Sequence, residues 1–122
     1  MLIGDDTFVA ADPQVVAQVV ADPARWRRWW PDLSLQVSRD RGIKGCQWLV
    51  TGSWTGTAEI WLEPWHDGTI LHLIQRLDPA GPAESLRSAR SARAQQLVQA
   101  NRVQDWKRHV FGLKDELEHR AP

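Results

Sequence analysis

The last third of the chain, from about Glu84 to His119, most limits what this sequence can fold into. Apolar residues recur there at steps of three and four, which places them on one face of a helix: Val103, Trp106, Val110, Leu113 and Leu117. The other face is mostly charged, with pairs such as Lys114 and Glu118 four residues apart. A long amphipathic helix needs an apolar surface to cover. We therefore expect the rest of the chain to form a curved sheet around it, with any binding pocket between sheet and helix.

The start of this helix is open between two positions. The stretch Ser85 to Arg93 is helix-permissive and carries arginines at a spacing of three, so the helix begins either there or near Ala94. Such a basic stripe could touch phosphate, but in a chain without net charge it is more typical of a solvated helix face.

Length and charge exclude several classes of protein. A chain of 122 residues is long enough for one core, so we predict a single domain over residues 1–122. Fifteen basic and fifteen acidic side chains cancel, which argues against a nucleic-acid partner. Cys46 has no second cysteine to pair with, and Met1 to Ala11 lacks the features of a signal peptide. No run reaches the roughly 20 apolar residues of a membrane span. We expect a cytoplasmic protein without stable membrane insertion.

Two Asp-Pro pairs mark the starts of two short helices. An aspartate at the N-cap followed by proline at the first helical position is a strong start signal. It predicts helices over Pro13 to Ala21 and Pro23 to Trp30. The short apolar segment Thr7 to Ala11 before them is predicted to be a strand. In the second helix Trp26, Trp29 and Trp30 share one face.

Four further strands are predicted between residues 34 and 78. Their apolar and polar residues alternate and turn residues separate them: Ser34 to Arg39, Lys44 to Thr51, Thr57 to Glu63 and Thr69 to Asp78. The pair Asp67-Gly68 is a strong hairpin signal, and a two-residue turn there sets Leu62 opposite Leu73 and Ile60 opposite Gln75. The residues Gly52 to Gly56 are predicted to form a five-residue loop between the two preceding strands. That loop would place Val50 opposite Ala58.

One face of the sheet then collects the apolar residues, and we predict that it faces the C-terminal helix. Its members are Cys46, Trp48, Val50, Ala58, Ile60, Leu62, Leu71, Leu73, Gln75 and Leu77. The other face pairs charges, and His72 is expected to pair there with Glu63.

The chain resembles the START-like, Bet v 1-like (SRPBCC) superfamily, and within it the bacterial polyketide cyclase/dehydrase branch. The likeness is carried by the Asp12 to Leu33 segment (D-P-x-x-V-x-x-V-V-A-D-P-x-R-W-x-x-W-W-P-D-L), by G-x-A-E-x-W-L-E-P at Gly56 to Pro64, and by the Trp106 to Glu118 helix. It implies an α+β helix-grip fold: a bent antiparallel sheet of five to seven strands, two short N-terminal helices and a long C-terminal helix.

Eight tryptophans suggest what the interior could bind, because a buried indole is apolar but needs a partner for its N–H. For any single tryptophan, a role as a large core residue is the more common one. We predict a pocket for a hydrophobic, lipid- or polyketide-like molecule, lined by Trp30, Trp48, Trp54, Ile60, Leu73, Gln75, Trp106 and Val110.

No catalytic residue, metal ligand or cofactor site is predicted, because the chain lacks a nucleophile with a base and an orienting group. Two alternatives remain. The domain could be an interaction module used for homodimerisation or for binding a partner protein, or it could be a cyclase acting on a poly-β-ketone.

Overall fold

The computed structural model describes residues 1–80 and 92–119, and it has the predicted α+β helix-grip architecture. The elements in chain order are β1 (Leu2–Val9), α1 (Pro13–Val20), α2 (Pro23–Trp29), β2 (Leu33–Asp40), a short 3-10 helix (Gly42–Lys44), β3 (Gly45–Gly52), β4 (Trp54–Trp65), β5 (Gly68–Pro79) and α3 (Ala92–Glu118). The strands form one antiparallel sheet in the order β1-β5-β4-β3-β2. The predicted helix start near Ser85 lies outside the described residues.

Both N-terminal helices begin as the Asp-Pro pairs predict. The Asp12 carboxylate accepts a hydrogen bond from the Gln14 backbone N–H at 2.8 Å, and Asp22 accepts one from Ala24 at 2.9 Å. Each helix ends one residue earlier than predicted, and Trp30 is the C-cap of α2. This cap matters for the interior, because it leaves the Trp30 side chain buried beside that of Trp29.

The first strand is longer than its sequence indicates. It runs from Leu2 to Val9 instead of Thr7 to Ala11, because the whole segment pairs with β5, from Leu2 opposite Arg76 to Val9 opposite Thr69. The polar residues Gly4, Asp5 and Asp6 have little strand character of their own. Pairing with a neighbouring strand overrides that weak local preference.

The predicted registers are wrong by two residues on both sides of β4. Leu62 lies opposite Leu71 instead of Leu73, and Ile60 lies opposite Leu73 instead of Gln75, because the turn consists of His66 and Asp67. In the same way Val50 pairs with Gly56 instead of Ala58. A shift of two residues moves each side chain along its strand but keeps it on the same face.

The predicted inner face is therefore confirmed. All ten of its residues are buried, with exposed fractions between 0% and 6%. They join β1, both N-terminal helices and α3 in one core.

Helix α3 runs alongside β1 and is fixed to it along most of its length. Gln99 donates to the backbone oxygen of Leu2 at 2.7 Å, and Lys114 donates to that of Phe8 at 3.0 Å. Near its end the Glu118 carboxylate accepts from the Ala10 N–H at 2.9 Å. The edge strand β1 thus holds the helix over the concave side of the sheet.

Candidate functional site

Small residues lie along the middle strand of the inner face, in a strip that we call the trough. Packed side chains cover it, since Trp48, Ala58 and Gln75 are at most 2% exposed. Gly56 and Ala58 of β4 carry at most a methyl group, and they lie between Trp54 and Ile60 on the same face. Ala58 pairs with Trp48 on one side and Gln75 on the other. Larger side chains therefore border the trough on both flanks. Because Trp54 and Gly56 are only partly buried while Ala58 is 2% exposed, we describe Trp54 as the mouth of the trough.

Indole rings from three elements form the wall above this region. The Trp30 ring of α2 stacks on that of Trp106 from α3, with centroids 5.5 Å apart and an angle of 21° between planes. It also meets the Trp48 ring edge-on at 5.9 Å. Trp29 and Trp26 extend the cluster, with Trp29 at 5.5 Å from Trp106 and Trp26 at 5.1 Å from Trp48.

Trp106 is held in place from its polar end by a buried carboxylate. Its Nε1 donates to Asp5 Oδ2 at 3.0 Å, and the Asp5 side chain is only 8% exposed. Lys107 Nζ lies 2.5 Å from Asp5 Oδ1, and the Thr7 hydroxyl donates to Oδ2 at 2.9 Å. The negative charge is thus paired and hydrogen-bonded, as a buried carboxylate requires.

Two polar atoms on the flanks of the trough lack such partners. Trp48 Nε1 and Gln75 Nε2 are buried and have no hydrogen-bond partner among the residues that the structure describes. By contrast, Trp26 Nε1 donates to the Val20 oxygen at 2.6 Å. A buried donor without a partner costs free energy, so each one needs an explanation.

Arg102 lies at the mouth. Its guanidinium carbon is 5.8 Å from the centre of the Trp54 ring, and Nη1 donates to Asp32 Oδ2 at 2.6 Å. The ion pair connects α3 to the turn before β2. Sequence reasoning missed both Arg102 and Asp32, because nothing in the spacing of two residues 70 positions apart signals that they meet.

The eight residues predicted for a pocket all lie in the core or pack against it. Seven are buried, and Trp54 is the half-buried one. Trp106 and Val110 are 1% and 0% exposed, so α3 packs tightly at these two positions. That the eight residues bind a ligand stays a prediction.

A separate concave region lies beside α1. It is an open groove of about 450 Å³ between α1, the Trp26 ring and the segment from Val37 to Cys46. None of the eight predicted residues lines it. Burial, together with the nearby Asp40 carboxylate, raises the pKa of the Cys46 thiol to about 11. The thiol is therefore protonated at neutral pH and a poor nucleophile.

On the outer face of the sheet, His72 joins three strands. Its Nδ1 is 2.6 Å from Asp6 Oδ1 on β1, its Nε2 is 3.0 Å from Glu63 Oε1 on β4, and its ring stacks on Trp61 at 4.5 Å. The predicted pairing with Glu63 is confirmed. Burial alone lowers the pKa of His72, but the hydrogen bonds and charges of Asp6 and Glu63 outweigh it, so the pKa is raised above 6.5.

This cluster predicts a dependence of stability on pH. Because the pKa is higher in the folded than in the unfolded chain, the contribution is complete below about pH 6.5 and is lost as the pH rises through the folded pKa. We expect the free energy of unfolding, measured with urea, to fall over that range. In His72→Gln this component should be absent, whereas an equal decline in His66→Gln and His72→Gln would contradict the assignment. His66 is exposed and makes a suitable control.

Two classes of site are absent from the part of the chain that the structure describes. No group of three or more His, Cys, Asp or Glu side chains there could hold a metal ion. Within the same residues no helix is both long and apolar enough to cross a membrane.

Comparison with known proteins gives no match by sequence: no family model and no curated protein matches the chain. Solved structures match over nearly its full length. The dimeric Aha1 protein of Colwellia psychrerythraea is 16% identical, with a TM-score of 0.67 over 100% of this chain and 99% of that one. The Deinococcus radiodurans protein DR_A0006 is 11% identical, with a TM-score of 0.69 over 97% of both chains.

A third match is the Polyketide_cyc-like protein Cgl2372 of Corynebacterium glutamicum. It is 18% identical, with a TM-score of 0.63 over 98% of this chain and 94% of that one. At these identities the likeness concerns the fold. The chain therefore shares its α+β helix-grip fold with these solved structures.

Proposed function

We propose that the domain binds a hydrophobic small molecule, lipid- or polyketide-like, in the trough between the sheet and α3. The observation that carries this proposal is the small residue Ala58 at the centre of the inner face, between Trp48 on one neighbouring strand and Gln75 on the other. Small-molecule sites are concave, mostly apolar and supplied with a few oriented polar groups. Here the walls are indoles and aliphatic side chains, and the polar groups are Trp48 Nε1 and Gln75 Nε2.

Entry to the trough would pass the mouth at Trp54. The Arg102–Asp32 ion pair crosses this mouth, and the Asp32 side chain is 45% exposed. Opening the pair would leave the Arg102 side chain, which is only 14% exposed, without its counter-charge, so the pair restrains entry at this point.

The test uses the tryptophans as reporters. Titration with a panel of aromatic polyketides, flavonoids and fatty acids should change intrinsic fluorescence in a saturable way, because Trp30, Trp48 and Trp106 surround the site. Ala58→Leu fills the trough and should weaken binding at least about tenfold, a loss of roughly 1.4 kcal/mol. Phe111→Leu, on the exposed side of α3, is the control and should bind normally.

Absence of a saturable response to every ligand would refute this proposal. Equal affinities of Ala58→Leu and the wild type would place the binding site elsewhere, with the groove at Val37 to Cys46 as the next region to test.

A homodimer is the second candidate. Apolar side chains are exposed on the outer face of β4 and β5, with Trp61 39%, Trp65 50% and Ile74 41% exposed. Exposed apolar surface of this kind is typical of interfaces, and one structural neighbour is a dimer. Size-exclusion chromatography with light scattering separates a stable dimer from a monomer.

A further inference from the structure

The two edge strands of the sheet differ in what covers them. The edge of β1 is covered by α3, which donates from Gln99 and Lys114 to backbone oxygens of that strand. At the other edge, within the part of the chain that the structure describes, β2 pairs on one side only, with β3. Six of its eight residues are exposed. An uncovered edge presents backbone N–H and C=O groups that can pair with a further strand.

A β-bulge turns the C-terminal part of β2 toward the groove beside α1. The pairing of β2 with β3 passes over Ser38, which places Val37 and Asp40 on the same inner face although they are three residues apart. Both residues line the groove. The uncovered edge and the groove are therefore adjacent, and a strand added to β2 would continue into the groove.

The groove has room and apolar surface for a side chain from such a strand. Its volume of about 450 Å³ lies within the range of about 300 to 1,000 Å³ that is usual for ligand sites. Val37 and Ile43 line it and are 44% and 54% exposed, and Trp26 forms part of its wall. Exposed apolar residues on a concave surface are typical of an interaction site.

The charges beside the groove favour an acidic partner. Three cations, Arg39, Arg41 and Lys44, lie between the end of β2 and the start of β3, against the single carboxylate of Asp40. That carboxylate already accepts a hydrogen bond from the Gly42 backbone N–H at 2.8 Å. The excess of positive charge attracts acidic side chains and repels basic ones.

A second copy of this chain fits the groove less well than a free peptide segment. Paired antiparallel through the same eight residues, the β2 strand of a second copy would reach the groove with its Leu33. The chain turns there into α2, and the Leu33 N–H donates to the Trp30 oxygen at 3.1 Å. A second copy would therefore place no further strand residue beside Asp40 to Ile43, whereas a free segment can extend there.

We propose that the β2 edge binds an extended peptide segment of a partner protein in the antiparallel sense. The backbone of the segment pairs with β2. Its N-terminal end carries an apolar side chain that enters the groove and acidic side chains that lie beside Arg39, Arg41 and Lys44. In strand addition of this kind, main-chain hydrogen bonds supply affinity and pockets for alternate side chains supply specificity. The site is separate from the trough and does not depend on the function proposed for it.

A synthetic peptide tests the charge requirement by fluorescence anisotropy. The probe is acetyl-Glu-Leu-Glu-Val-Thr-Val-Thr with fluorescein at its C-terminus. It should bind at least about tenfold more tightly than the same peptide with lysine in place of both glutamates. No binding of the glutamate peptide at millimolar concentration, or equal binding of the lysine peptide, would overturn the proposal.

Two N-methylated peptides test the backbone pairing. Alternate N–H groups of a strand point to the same side, so only one alternate set can donate to β2. One peptide is methylated on the leucine and valine amides, and the other on the amides of the second glutamate and the threonines. One of them should bind like the parent and the other at least about tenfold more weakly. Equal affinities of the two methylated peptides would show that no strand is added.

Substitutions in the protein test the groove. Val37→Ser and Ile43→Ser each remove apolar surface from it and should weaken binding of the glutamate peptide at least about threefold. Leu49→Ser is the matched control, because Leu49 is 47% exposed on the outer face of β3. It should bind normally. If all three variants bound equally, the peptide would not enter the groove.

Amide hydrogen exchange on the wild type gives a readout that needs no variant. Alternate amides of β2 should exchange rapidly in the free protein, and the peptide should slow them at least about tenfold while the amides of β1 stay unchanged. If the β2 amides were protected without peptide, and more so at higher protein concentration, the edge would bind a second copy and the proposal would be wrong.

Discussion

Replacing Gly56 with alanine is expected to lower the free energy of unfolding by about 3 kcal/mol or more. Gly56 has a φ of +144°, which residues with a side chain rarely adopt, and a Cβ there would lie 1.8 Å from the Arg76 backbone oxygen. The clash is with backbone of the paired strand β5, so no side-chain rotation can relieve it. Such a loss is a large part of the 5 to 15 kcal/mol or so that stabilises a typical domain.

Gly112→Ala supplies the control for this prediction. Gly112 lies in α3, and nothing comes within 4 Å of a Cβ added there. Alanine should raise stability by about 0.5 to 1 kcal/mol, because glycine is a poor helix former. Both variants can be measured by urea denaturation followed by circular dichroism. A cost below about 1 kcal/mol for Gly56→Ala would show that β4 and β5 do not approach so closely.

Trp106→Ala is expected to cost about 3 to 5 kcal/mol, the range for deleting a large buried aromatic side chain. The indole is 1% exposed, stacks on Trp30 and donates to Asp5. Its removal leaves a cavity beneath α3 and takes one hydrogen bond from a buried carboxylate. The same denaturation experiment measures this loss.

Two further substitutions show how much of the Trp106→Ala loss comes from the buried ring and how much from its hydrogen bond. Trp106→Phe keeps an aromatic ring but cannot donate to Asp5. Its loss of unfolding free energy should therefore be smaller than that of Trp106→Ala but greater than zero. Phe111→Ala removes a ring from the same helix where the side chain is 50% exposed, and should change stability by less than about 1 kcal/mol. If Trp106→Ala cost no more than Phe111→Ala, α3 would not close the core at this position.

The register errors show where sequence reasoning stops. Asp67-Gly68 has the composition of a two-residue turn, but the turn is His66 and Asp67, and Gly68 is the first residue of β5. A Cβ on Gly68 would lie 2.4 Å from the Val9 backbone oxygen. Glycine is thus required by the approach of β1, a distant segment. Gly56 is likewise required by contact with β5, although the sequence suggests the end of a loop.

The candidate site shows a similar division. Burial of Trp48, Ile60, Leu73 and Gln75 follows from the alternation of apolar and polar residues along the strands. A register error of two residues leaves each side chain on the same face of the sheet, so this prediction is unaffected by it. The absence of a partner for Trp48 Nε1 could not be predicted in this way. It depends on which atoms of α2 and β4 lie around the indole, and Trp26 in the same cluster does find a partner at Val20.

By itself, the sequence determined the kind and order of the elements, the two capped helices, and which face of the sheet and of α3 is buried. These follow from local capping and from periodicity, which act over a few neighbouring residues. Only the tertiary structure decided the register, the length of β1, and the meeting of Arg102 with Asp32 and of Trp106 with Asp5. These depend on contacts between residues far apart in the chain, where packing space and hydrogen-bond geometry outweigh local preference.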